Sequence, residues 1–131
     1  MNQKYFIGID VSKEKLDCAL ILSDYKVVTE CIIPNNRKKI KSFLKGVLKG
    51  RKIQADQLVV CCETTGVYTV PLRKICIELN IGLWEEHAYR IKKASSDMRG
   101  KSDRKDAMRI ADYSVRYQDK MVQYKEPSDV I

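Results

Sequence analysis

Histidine is almost missing from this chain; His87 is the only one. A histidine-rich metal site or a serine-histidine-aspartate triad therefore has almost no material, and His87 reads as a loop residue. No two cysteines form a CxxC pair, which removes the common zinc-ribbon and dithiol motifs. The five cysteines are Cys18, Cys31, Cys61, Cys62 and Cys76. Four sit in strand-like runs and Cys76 in a helix-like one. An odd number in apolar positions reads as buried free thiols in a reducing cytoplasm. No apolar run approaches the roughly 20 residues needed to cross a bilayer. The first ten residues carry no basic leader and no small-residue cleavage site, so neither export nor membrane contact is expected. Acids are outnumbered, 17 against 25 Lys and Arg, for a net charge of +8. Basic domains often contact nucleic acid, although basicity alone also fits a membrane-surface or merely soluble protein.

What is present suits one domain. The chain has 131 residues, 44% hydrophobic and 32% charged, enough apolar matter for a core. Tyr5-Phe6-Ile7-Gly8-Ile9 is a buried-strand run ending at Asp10. Leu16 to Leu22 and Lys26 to Ile33 are two more strands, joined by Ser23-Asp24-Tyr25, a turn of hairpin length. Pro34-Asn35-Asn36 then breaks the sheet and offers an asparagine N-cap. Ile40, Phe43, Leu44, Val47 and Leu48 keep helical spacing, and Gly50 suits its C-terminal stop. Leu58 to Cys62 is a continuous apolar run ending at Glu63. Thr64-Thr65-Gly66 turns the chain into a helix carrying Leu72, Ile75, Cys76 and Leu79. Pro71 is tolerable in its first turn, and Asn80 closes it. Ile81 to Glu85 is a fifth, shorter strand. Residues 87–101 read as a partly helical, mobile connection. A last helix runs from about Ser102 to Tyr117. The expected division is a domain over 1–118 and a tail or linker start over 119–131. Three consecutive strands followed by αβ units suggest a mixed sheet with strands one, four and five parallel.

Four carboxylates fall at one expected edge. Asp10 and Glu63 end strands one and four, and ligands gather at the carboxyl ends of strands in open α/β sheets. Stepping about 100° per residue, Asp103, Asp106, Ala107, Ile110, Ser114 and Tyr117 share the inner side of the last helix. Lys105, Arg109, Asp112 and Arg116 fall on the other. Four acids meeting there repel unless neutralised, and carboxylate oxygens select hard cations such as Mg²⁺ or Mn²⁺. Each acid also has an ordinary reading. Asp103 suits an N-cap, with Asp106 completing a capping box. Asp10 suits a turn and Glu63 a solvated strand end. Asp17 is a weaker fifth candidate, outside the expected site. Tyr68, after Gly66, is a candidate contact to a phosphate or a base, or a half-buried turn aromatic.

The bases form two sets. Arg37, Lys38, Lys39, Lys41, Lys45, Lys49, Arg51 and Lys52 read as a solvated helix face. Arg90, Lys92, Lys93, Arg99, Lys101, Arg104 and Lys105 flank the acids, which fits a polyanion brought to a metal.

Three stretches carry a resemblance: Gly8-Ile9-Asp10-Val11-Ser12-Lys13, Glu63-Thr64-Thr65-Gly66-Val67-Tyr68 and Lys101-Ser102-Asp103-Arg104-Lys105-Asp106-Ala107. In this order and spacing the chain resembles the N-terminal domain of the DEDD transposases of bacterial insertion sequences, relatives of the pilin-inversion recombinase. The resemblance implies a ribonuclease-H-like, RuvC-like mixed five-stranded sheet of order 3-2-1-4-5. It implies that Asp10, Glu63, Asp103 and Asp106 are the catalytic metal ligands, holding Mg²⁺ or Mn²⁺ as two ions. The implied activity is cleavage and strand transfer on DNA of the mobile element and its target, in the cytoplasm. An element-encoded guide RNA assists some members, and synapsis implies a homo-oligomer of the full-length protein. Members carry a second domain with a catalytic serine, expected beyond Ile131. Where the family has an Asn-Pro segment after strand five, this chain has Glu85-Glu86-His87-Ala88-Tyr89.

Two other classes compete. One is a phosphotransferase of the actin and sugar-kinase type, which also opens on a strand and an Ile-Asp turn. Such chains usually place glycine soon after the aspartate, whereas Val11-Ser12-Lys13 follows here, and they need two lobes. The other is a nucleic-acid-binding module without catalysis.

Overall fold

A computed structural model describes residues 4–96 and 105–126. Five strands form one sheet: β1 (Tyr5–Val11), β2 (Lys15–Leu22), β3 (Val27–Pro34), β4 (Leu58–Glu63) and β5 (Gly82–Glu86). Four α-helices accompany them: α1 (Arg37–Arg51), α2 (Val70–Leu79), α3 (Ala88–Ser96) and α4 (Asp106–Arg116). The sheet order is β3-β2-β1-β4-β5. β2 runs antiparallel to β1 and β3, while β1, β4 and β5 are parallel. This is the expected topology, that of the RuvC-like class.

Strand parity divides the core in two. Tyr5, Ile7, Ile9 and Val11 pack with Ile40 and Leu44 of α1 and Leu72 and Ile75 of α2. The alternate residues meet α4: Phe6, Ala19, Ile21 and Val59 pack with Ala107, Met108, Ala111 and Val115. A strand sends successive side chains to opposite faces. Asp10, in step with Phe6 and Gly8, therefore shares the α4 face, and so do Asp17, Glu63 and Glu86.

The ends of α1 and α2 follow their sequence signals with one exception, whereas α4 begins at Asp106 rather than near Ser102, with Lys105 at its N-cap position. Asn36 caps α1, its side-chain oxygen accepting from the Lys39 N–H at 2.9 Å. Asn80 closes α2 in the left-handed conformation at φ 59°, and Pro71 sits in its first turn. At the end of α1 the left-handed residue is Lys52, φ 55°. Gly50 stays helical because the chain turns two residues later, where the Lys52 N–H reaches the Leu48 and Lys49 carbonyls.

Two further features depart from the expected layout. Residues 88–96 form a full helix, α3, anchored by buried Ile91; residues 97–101 of the expected mobile connection lie outside the described residues. The segment after α4 returns along the free edge of β5, where Gln123 bridges Trp84 and the Tyr124 N–H donates to the Leu83 carbonyl at 2.6 Å. All five cysteines are free, with Cys31 alone half-buried and the rest buried. Burial pushes the Cys76 thiol up to about 12 and raises the other four, so none supplies a reactive thiolate near neutral pH. Among the described residues no helix is long and apolar enough to cross a membrane.

Candidate functional site

The carboxyl ends of β1 and β4 are neighbours in a parallel pair. Ile9 stands opposite Cys62, so Asp10 and Glu63 follow one residue later on adjacent strands. Above them lies the first turn of α4, where Asp106 is the first helical residue. The seat of that helix is Gly8: a β-carbon there would stand 2.2 Å from the Ala107 carbonyl oxygen and 2.3 Å from the Ala111 nitrogen. No side chain fits, so α4 rests backbone to backbone on β1. That contact brings Asp106 over the strand ends.

The charges register this proximity. Burial, then the negative charges of Asp106 and Asp17, raise the Asp10 carboxyl above its usual range, while Lys15 opposes the shift. Burial, then Asp10 and Asp106, raise Glu63. Like charges held together in a half-buried setting favour protonation or a counter-ion. Three carboxylates with only oxygen donors match a hard divalent cation. By donor chemistry the set fits. Among the described residues no three Asp, Glu, Cys or His side chains are gathered closely enough to enclose an ion. Asp103 lies outside the described residues.

Asp106 has a protein counter-charge. The Arg109 guanidinium donates to its carboxylate at 3.0 Å, one helical turn on. The capping-box reading of Asp106 does not hold for α4 as described, because the N-cap position is Lys105 and no side chain caps it.

Two cavities flank Asp106. One, of about 520 Å³, is bordered by Asp10, Asp17, Lys105 and Asp106 together with β3 residues. The other, of about 300 Å³, is bordered by Glu63, Lys92, Asp106 and Arg109. Of the seven bases expected to contact nucleic acid, Lys92 and Lys105 line these cavities, and Arg90 and Lys93 lie on the same helix as Lys92. Arg99, Lys101 and Arg104 lie outside the described residues. The first basic set belongs largely to α1, on the opposite face of the sheet from the acids. Tyr68 is exposed, and its carbonyl accepts from the Asn35 side chain at 3.0 Å. His87 is an exposed loop residue whose carbonyl accepts from the Arg90 and Ile91 N–H groups in the first turn of α3.

The chain from residue 7 to residue 131 matches a family model described as a transposase, of the DEDD IS110 type. The chain belongs to the DEDD transposase family. It is 29% identical over 112 residues to the transposase for insertion sequence element IS1533 of Leptospira borgpetersenii. That match covers 85% of the chain and 31% of the relative, so the chain spans about a third of that protein's length. Among solved structures it is similar to RuvC of T. thermophilus in complex with a Holliday junction substrate, with a TM-score of 0.63 at 9% identity, over 92% of this chain and 98% of that one. A second Thermus thermophilus RuvC structure gives a TM-score of 0.59 at 11% identity, over 87% and 96%. At such identities the likeness is one of fold. Family membership also removes the kinase-like alternative.

Three residues of this DEDD transposase domain sit closer to the site than their sequence positions suggest. Asp17, expected to lie outside the site, stands directly opposite Asp10 in the β1–β2 register. Counting back through the tight turn at residues 12–14 brings the two together. Arg109, assigned to the outer face of its helix, borders the Glu63–Asp106 cavity. Asp112, assigned to that same outer face, is only 3% exposed. The helix is sunk into the sheet at Gly8 and flanked by α3, so burial reaches nearly all round it, and periodicity marks only the most apolar stripe.

Proposed function

We propose that this chain is the metal-dependent nuclease and strand-transfer domain of a transposase. Its substrate is a DNA phosphodiester of the mobile element and its target. The observation that carries the reading is the meeting of Asp10, Glu63 and Asp106 at one sheet edge: burial raises both strand carboxyls, and the Asp106 charge adds to each. Those three, with Asp103, would hold Mg²⁺ or Mn²⁺, as one or two ions. Bound there, a divalent ion would supply Lewis-acid stabilisation of a phosphodiester's developing charge.

The chain's own residues have separable tasks. Asp10 and Glu63 supply fixed anionic oxygens from the rigid sheet. Asp106 comes from the first turn of a helix whose seat is set by Gly8. Lys92, Arg109 and Lys105 line the two cavities beside them and would take the backbone phosphates. Arg90 and Lys93, on the same helix as Lys92, would extend that basic surface, and Arg99, Lys101 and Arg104 would add further phosphate contacts. Beyond the segment docked on β5, the tail would lead toward a further domain, and the whole protein would act as an oligomer on paired DNA ends, in the cytoplasm, with or without a guide RNA.

The test is direct. Titration of the chain with Mn²⁺, followed by calorimetry and by electron paramagnetic resonance, should reveal bound ion. Asp10→Asn and Glu63→Gln should each reduce that binding at least about tenfold, in line with the loss of a charged ligand. Unchanged Mn²⁺ binding in both variants would falsify the reading.

A further inference from the structure

A third cavity, of about 430 Å³, lies beside the catalytic edge and is bordered by Glu86, Arg90, Lys93, Tyr113, Tyr117 and Lys120. α3 borders both sites. Its Lys92 lines the cavity with Glu63 and Asp106, while Arg90 and Lys93 line this one.

Its aromatic wall is a column. Buried Trp84 meets Tyr113 with ring centroids 5.4 Å apart, and Tyr113 meets Tyr117 at 4.9 Å. The column runs from the core to half-buried Tyr117, where the exposed Arg116 and Lys120 lie over the ring, 5.4 Å and 5.8 Å from its centre; such solvent-facing side chains can swing aside for a base and stay near its phosphate. The middle ring is fixed by Glu86, only 5% exposed, which accepts from the Tyr113 hydroxyl at 2.9 Å. Glu86 also accepts from the His87 N–H at 2.9 Å and has the Arg90 guanidinium at 3.6 Å. The acid is thus engaged by internal donors, and the rim is cationic. A rigid aromatic plate with cations around it is what unpaired nucleotides use: the base stacks and the phosphate meets the charge. An acidic peptide would use the cations but would have no need of the plate.

We propose that this cavity holds one unpaired nucleotide, its base on Tyr117 and its phosphate among Arg90, Lys93 and Lys120. The inference rests on the proposed nucleic-acid function. It adds that the nucleic acid is single-stranded where it crosses α3 from the carboxylates. Stacking and charge are common to DNA and RNA, so the probes must separate them.

The experiment is fluorescence anisotropy of the 131-residue chain with labelled oligothymidylate, oligouridylate and a DNA duplex. Tyr117→Ala should weaken binding of the preferred single strand about tenfold, as for loss of one stacked base, and leave the duplex unchanged. Tyr117→Phe should bind like the parent, and Tyr117→Leu, which keeps the packing on Tyr113, should behave like Tyr117→Ala. A preference for oligothymidylate assigns the cavity to DNA and a preference for oligouridylate assigns it to RNA; either supports the proposal. Equal loss on duplex and single strand, or no loss in Tyr117→Leu, overturns it. So does full displacement of the single strand by polyglutamate from a Tyr117→Ala variant that binds as the parent. Mn²⁺ binding is measured on the same samples and should not change in the Tyr117 variants. A parent chain that binds no Mn²⁺ but still needs the Tyr117 ring for single strands would fail the metal reading and keep this one.

Discussion

Gly8 of β1 lies so close beneath Ala111 of α4 that a β-carbon on Gly8 would stand 2.8 Å from the Ala111 α-carbon. The contact is between two main chains, so neither partner can move a side chain aside. Asp10 follows Gly8 by two residues, and Asp106 precedes Ala111 by little more than one helical turn. The glycine therefore sets how far the helix carboxylate stands from the strand carboxylates. Gly8→Ala should destabilise the chain by about 3 kcal/mol or more, at the upper end for overpacked sites. Chemical denaturation measures that loss. Mn²⁺ affinity should fall as well, and a variant with parental stability and affinity would separate the helix seat from the site.

The raised carboxyls of Asp10 and Glu63 have a definite sign in folding. Their folded-state values lie above the unfolded ones, so between the two the native state holds more protons. Stability then falls as pH rises through that window. Above the folded-state values the full penalty of two crowded anions applies, and below the unfolded values it is absent. The metal-free chain should therefore gain thermal stability at Asp10→Asn at neutral pH. The gain should shrink as pH falls toward the ordinary carboxylate range and reverse when Mn²⁺ is added. Melting curves at several pH values, with chelator or with Mn²⁺, check all three.

Arg73 grips Glu85 through two bonds, Nε to Oε2 at 2.6 Å and a terminal guanidinium nitrogen to Oε1 at 2.8 Å. The Glu85 side chain is 9% exposed and the Arg73 side chain 23%. Arg73→Ala strands a nearly buried carboxylate, at a cost of about 3 kcal/mol, the low end for broken buried pairs. Arg73→Lys should restore little, because a lysine cannot reproduce the planar fork. Denaturation midpoints of the two variants should lie close together and well below the parent.

The returning segment covers an otherwise open sheet edge. Tyr124 donates to the Leu83 carbonyl, its ring lies 5.0 Å from the Arg73 guanidinium carbon, and Met121 lies over Gly82. Truncation after Gln118 should lower the melting temperature and promote self-association through β5, since an exposed strand edge pairs with other chains. Light scattering of the truncated and parent chains at equal concentration tests this. A monodisperse, equally stable truncation would give the segment no such role.

Much of this architecture is a consequence of local pattern. The apolar runs over residues 5–9 and 58–62 mark buried strands and lead into Asp10 and Glu63, and the parallel order of those strands puts the two acids at one edge. Asn36, Asn80 and Pro71 mark helix ends because their backbone preferences act on nearest neighbours. Tertiary structure decided what depends on distant partners. Periodicity ranks the faces of α4 but cannot say how many are covered, so the burial of Asp112 was hidden. The docking of residues 121–126 depends on a free edge at β5 that no local pattern announces. The crowding of Asp10, Asp17, Glu63 and Asp106 depends on strand register and on one missing side chain at Gly8. Local sequence fixes conformation residue by residue, whereas the electrostatics of a site depend on through-space distance, which only the packed fold defines.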